Sequence, residues 1–78
     1  MNQKRRKELR RILTILNDVS LLLAAVADEE HEAYDNLPET LQESERALDM
    51  EDAANAMDEA LDAVSSVIET LEDFAGVS

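Results

Sequence analysis

The chain has 78 residues, no cysteine and a formal net charge of −12. Disulfides and thiolate metal sites are thereby excluded, and an acidic body of this density is repelled by DNA, RNA and anionic membranes. A single domain of this length has a marginal core, which disulfides, metals or self-association ordinarily supplement, so a homo-oligomer is expected.

Composition points to an all-α fold. Apolar residues make up 45% of the chain, yet Tyr34 and Phe74 are its only aromatics and Gly76 its only glycine. Alanine, leucine, glutamate and aspartate dominate, a mixture that favours helix over sheet. The charge is unevenly distributed. Lys4, Arg5, Arg6, Lys7, Arg10 and Arg11 stand against Glu8 alone in the first eleven residues, and Arg46 is the only later cation.

The first helix is expected over about 4–34. Leu9, Ile12, Leu16, Val19, Leu23 and Val26 recur at steps of three and four, a heptad stripe. Leu13, Ile15, Leu22 and Ala27 flank it, and an apolar face this wide calls for a second neighbour. Leu13, Ile15 and Leu22 are therefore the candidate oligomer interface. The basic start followed by residues 12–26 also has the outline of a secretory leader. Asn17 and Asp18 interrupt its apolar part, which is too short for a membrane span. The expected location is the cytoplasm.

The acidic run Asp28-Glu29-Glu30-His31-Glu32 closes this helix. A carboxylate three residues before His31 has the spacing of di-iron helix bundles, but the nearby inward residues are Val26, Ala27 and Ala33. A solvated end is expected, with no metal or cofactor.

The connector spans 35–44, with a short helical turn near 37–43. Proline suits a first helical turn and pushes its predecessor out of helical geometry. Asn36 with Glu39, and Thr40 with Glu43, have capping-box spacing, and Ser44 is placed to cap the next helix.

The second helix is expected over about 45–75. Met50, Met57, Val64 and Leu71 lie seven apart, with Ala53, Ala60, Val67 and Phe74 as the partner row and Ala54, Leu61, Ile68 and Ala75 as flank. Gly76 is the expected stop. Two helices of equal length, ~46 Å at 1.5 Å per residue, joined by a short connector make an antiparallel hairpin. Leu9 then faces Leu71, Ile12 faces Val67, Val19 faces Ala60 and Leu23 faces Met57. The hairpins are expected to assemble into a homo-oligomeric bundle, most simply a four-helix dimer.

Three features are candidates for function. The first is the basic tip of Lys4, Arg5, Arg6, Lys7, Arg10 and Arg11, expected beside Glu69, Glu72 and Asp73. Cations at a helix start oppose the macrodipole. Salt bridging offsets this weakly, and an anionic nucleotide would offset it more strongly. The second is the outer face of helix 2, with Glu45, Asp49, Glu51, Asp52, Asp58, Glu59, Asp62 and Glu69. It reads as a solvated face or as a carboxylate array that imitates nucleic-acid phosphates. It has neither the glycine nor the loop of a calcium site. The third is the connector, where Tyr34, Gln42 and Arg46 are candidate partner contacts. No nucleophile–base pair or phosphate loop is visible, so the chain is not expected to be an enzyme.

The stretch Glu30-His31-Glu32-Ala33-Tyr34-Asp35-Asn36-Leu37-Pro38-Glu39-Thr40-Leu41-Gln42-Glu43-Ser44-Glu45-Arg46 resembles the connector of small acidic helical proteins of phages and mobile elements of Gram-positive bacteria. The likeness spans nearly the whole chain, including the basic helix start and the glutamate- and alanine-rich second helix. Its distinctive part is Tyr-Asp-Asn-Leu-Pro-Glu, with Leu41, Gln42, Ser44, Glu45 and Arg46. The resemblance implies an accessory protein that binds and blocks a host protein, as in counter-defence. A nucleotide sponge at the basic tip and a structural or regulatory adaptor are the other readings.

Overall fold

The computed structural model describes residues 1–76, and helices are the only regular elements among them. Helix α1 runs Gln3–Asp35, a single 3-10 turn covers Glu39–Leu41, and helix α2 runs Glu45–Ala75. The two long helices pack side by side in a particle of 59 × 17 × 14 Å. Contacts between Arg10 and Ala75 at one end, and between His31 and Asp58 nearer the connector, make them antiparallel.

Local chemistry sets the helix ends. The Asn2 side chain accepts from the Arg5 amide at 2.9 Å, satisfying one orphan donor of the first turn. At the far end of α1, Asn36 keeps right-handed helical geometry and its N–H donates to the Glu32 carbonyl at 3.0 Å. The expected Asn36–Glu39 and Thr40–Glu43 boxes therefore do not form. A capping residue needs extended backbone, whereas Asn36 simply finishes α1 and Thr40 lies inside the 3-10 turn, which has no side-chain cap. Ser44 is extended, and its Oγ accepts from the Ala47 amide at 3.2 Å while donating to the Leu41 carbonyl at 2.6 Å. Gly76 ends α2 in the left-handed region at φ 78°, where a Cβ would be strained.

The seam has an unbroken heptad register. On α1 its a positions are Leu13, Ser20, Ala27 and Tyr34, and its d positions are Leu9, Leu16, Leu23 and Glu30. On α2 the a positions are Ala47, Ala54, Leu61, Ile68 and Ala75, and the d positions are Met50, Met57, Val64 and Leu71. Each of these residues is buried or half-buried. Leu13, Ile68 and Ala75 form one buried cluster, with Leu9, Leu16, Val64 and Leu71 packed against it. Leu9 and Leu71 thus meet in one part of the seam, as the antiparallel pairing requires.

On both helices the packed stripe is rotated by one row from the one that spacing suggests. Leu9, Leu16, Leu23 and the Met50–Leu71 row do face the partner helix. Their companions are the rows read as flanks, while Ile12, Val19, Val26, Ala53, Ala60, Val67 and Phe74 stay exposed. Ile12–Val67 and Val19–Ala60 are consequently not seam pairs. Leu13, 4% exposed, is taken up within its own chain and is not available as an oligomer contact.

The choice of row follows from size. Ser20 and Ala27 on α1, with Ala47, Ala54 and Ala75 on α2, let two backbones approach closely, and interiors reward close packing. A count of apolar residues favours the bulkier row and misses this.

Candidate functional site

The two sides of the seam differ in chemistry. In an antiparallel pair the e positions of both helices share one side and the g positions share the other. On the e side, His31 and Asp58 meet at 2.8 Å. Arg10, Thr14, Asn17 and Glu72 line a shallow cleft against Leu13. Polar groups here are largely satisfied: Asn17 donates to the Leu13 carbonyl at 2.9 Å and Thr14 to the Arg10 carbonyl at 3.1 Å. Sequence spacing places Asp28, His31 and Asp35 on one face and misses the His31–Asp58 contact. That contact becomes legible only once the correct row is known to form the seam.

The g side is apolar. Ile12, Val19 and Val26 at g, with Ile15 and Leu22 at c, form a second three–four stripe on α1. Ala53, Ala60, Val67 and Phe74 at g, with Ala56, Ala63 and Thr70 at c, form another on α2. All twelve are exposed, Leu22 by 69% and Phe74 by 59%. A shallow groove lined by Ser66, Val67, Thr70 and Leu71 lies on this side. Ile15 and Leu22, the remaining candidate interface residues, are exposed on the α1 part of this side. Among the described residues, only Leu13 and Ile68 of the six buried ones are larger than alanine. On this open side Ile12, Ile15, Val19, Leu22, Val26, Val67 and Phe74 are all apolar, larger than alanine and exposed.

No protein-family model, curated protein or solved structure matches the chain. The reading of function rests on its own surfaces.

At the basic tip, the cross-helix ion pairs expected with Glu69, Glu72 and Asp73 do not form among the described residues. Arg10 instead donates to the Ala75 carbonyl at 3.1 Å, satisfying an orphan acceptor at the negative end of the α2 dipole. Arg11 lies 3.8 Å from Glu8 on its own helix, an exposed pair of little energetic consequence. Lys4, Arg5 and Lys7 are exposed, while Arg6 is half-buried with its Nε covered and unpartnered.

At the connector, the Gln42 amide donates to the Leu37 carbonyl at 3.2 Å, so its polar head braces the turn. Arg46 is exposed and forms no ion pair with α1 among the described residues. Tyr34 is half-buried, and its pKa is raised above 10.0 by partial burial, then by the negative charge of Glu51 and its hydrogen bond, and by Asp35. A raised folded-state pKa contributes stability that is complete below the unfolded value and is lost as pH rises through the folded one. With one tyrosine and no tryptophan, phenolate absorbance reports this residue alone. Its midpoint is expected above 10.0, and Glu51→Gln should lower it.

Among the described residues no three histidine or acidic side chains converge as a metal site would require. Among the described residues, no helix is long and apolar enough to cross a membrane.

Proposed function

We propose that this chain is a non-enzymatic binding protein, assembled as a homo-oligomer of hairpins, that sequesters or inhibits a basic host protein. The observation that carries the reading is the carboxylate array on α2. Glu45, Asp52 and Glu59 occupy successive f positions, ~10.5 Å apart along the helix, with Asp49, Asp62 and Glu69 beside them, and all are exposed. No cation of the same helix except Arg46 competes for them. Such a field steers association with a positively charged surface and makes it salt-dependent. The resemblance to small phage and mobile-element proteins supports a host factor as the target and the cytoplasm as the location.

A second reading is favoured by the covered, unpartnered Nε of Arg6 beside exposed Lys4, Arg5 and Lys7 at a helix start. That arrangement suits an anionic nucleotide. Native mass spectrometry of protein purified from its host separates the two readings. A protein-blocking role predicts a stoichiometric basic partner that leaves in high salt and fails to bind the Asp52→Asn, Glu59→Gln, Asp62→Asn variant. A nucleotide sponge predicts retained small molecule, lost with Arg5→Glu and Lys7→Glu. Recovery of neither ligand overturns both.

A further inference from the structure

Resting on the homo-oligomer reading above, we infer that the apolar g side is covered by a second copy of the chain turned head to tail. The two-fold axis lies in the contact plane, perpendicular to the helices, and passes near Val19. In this arrangement α1 packs against the partner's α1, and α2 against the partner's α2, each pair antiparallel.

Two self-complementary arrangements are open to a flat face. The two-fold axis runs either along the hairpin or across it, and both give isologous contacts. An axis along the hairpin lays like ends together. Residues 28–52, with eleven acids against Arg46 alone, would then meet their own copy. Residues 1–11, with six cations against Glu8, would face Glu69, Glu72 and Asp73 of the copy, so the repulsion falls at the connector end. An axis across the hairpin lays the basic tip of each copy by the acidic connector of the other. Residues 4–11 of each copy then lie along residues 27–34 of the other, basic against acidic, at both ends of the α1 pair.

Side-chain size makes the same choice independently. The α2 stripe is graded, from Ala53, Ala56, Ala60 and Ala63 near the connector to Val67, Thr70 and Phe74 near the tip. Turned head to tail, Phe74 of one copy falls on the alanine stretch of the other, large against small. With like ends together, Val67 and Phe74 face Ile12 and Ile15 while the alanines face Leu22 and Val26, leaving a contact uneven along its length, which packing disfavours. The α1 stripe, Ile12–Val26, is centred on Val19, and the α2 stripe on Ala63. Leu16 and Val64, next to these midpoints, pack against one buried cluster. One axis therefore centres both stripes.

The face is large enough. The longer stripe spans ~32 Å along the helix and the hairpin is 17 Å wide. The resulting projection of roughly 550 Å² corresponds to a larger accessible area, near the ~800 Å² per partner of stable interfaces.

Cysteine cross-linking tests this in a chain that has no cysteine of its own. Under mild oxidation V19C alone is expected to link two chains. I12C alone and V26C alone are not, because identical positions then lie ~21 Å apart, whereas a disulfide needs Cα atoms within about 7 Å. An I12C and V26C mixture should link, and it gives the same answer if a cysteine at the axis disturbs packing. A wild-type mass of one chain would overturn the oligomer and this arrangement together. A dimer in which V19C stays unlinked, or in which I12C links to V67C of the other copy, overturns the head-to-tail arrangement alone.

Discussion

Glutamate at both Ile15 and Leu22 is expected to reduce the particle to a single chain and to remove much of its helical signal at micromolar concentration. Both side chains are exposed in the hairpin, and Leu22 is among the most exposed large apolar residues at 69%. Were the hairpin complete by itself, surface changes of this kind would shift stability by no more than about 0.5 kcal/mol. A face covered by a second copy behaves differently. Each large side chain removed from water contributes ~1.5–3 kcal/mol, and an unpaired carboxylate trapped in its place costs several kcal/mol more. The two-fold axis doubles each change. Because only Leu13 and Ile68 of the large seam side chains are buried, the separated hairpin retains limited apolar burial to oppose its conformational entropy. Sedimentation velocity with far-ultraviolet circular dichroism reads both effects, and an unchanged particle would rule out the g side as an interface.

Leu13→Ala is expected to be the most costly single truncation in the seam, destabilising by ~2–5 kcal/mol, the range for a buried leucine. Leu13 is 4% exposed and shares its cluster with Ile68 and Ala75. Urea unfolding at fixed protein concentration measures it, the concentration held constant because association contributes to apparent stability. Ile12→Ala, one residue away and 43% exposed, serves as the comparison. It should weaken association more than it alters the seam. Equal losses of seam packing at the two positions would mean that the stripe of spacing, with Ile12 inside, describes the molecule better.

The comparison of Leu13 with Ile12 also locates where sequence stopped informing the fold. Helix content, the turn at Asn36–Pro38, the Ser44 cap and the Gly76 stop are local properties, and each is legible because the residue that causes it sits at the position where it acts. The antiparallel pairing is also legible, from two helices of similar length and a short connection. The rotation about each helix axis is not. Two rows adjoin Leu9–Leu16–Leu23, and hydrophobicity ranks Ile12, Val19 and Val26 above Leu13, Ser20 and Ala27. Close approach of two backbones ranks them the other way, and only a packed structure expresses that term.

The same rotation governs how much of the candidate site could be read. Ile15 and Leu22 are outward-facing as expected, whereas Leu13 is not. The His31–Asp58 contact and the Arg10–Ala75 contact each join residues more than 25 apart in sequence, at positions that spacing with the other row keeps apart. Tyr34, Gln42 and Arg46 illustrate a different limit. Their residue types are equally suited to a partner or to the chain's own turn, and Gln42 is used internally while Arg46 is exposed.

One folded chain leaves an oily flank uncovered, and dilution of the unmodified protein tests the consequence most directly. Sedimentation equilibrium and circular dichroism across a thousandfold concentration range should show twice the 8.7 kDa of one chain at the upper end, with mass and helicity falling together on dilution. A fully helical particle of single-chain mass at every concentration would contradict it.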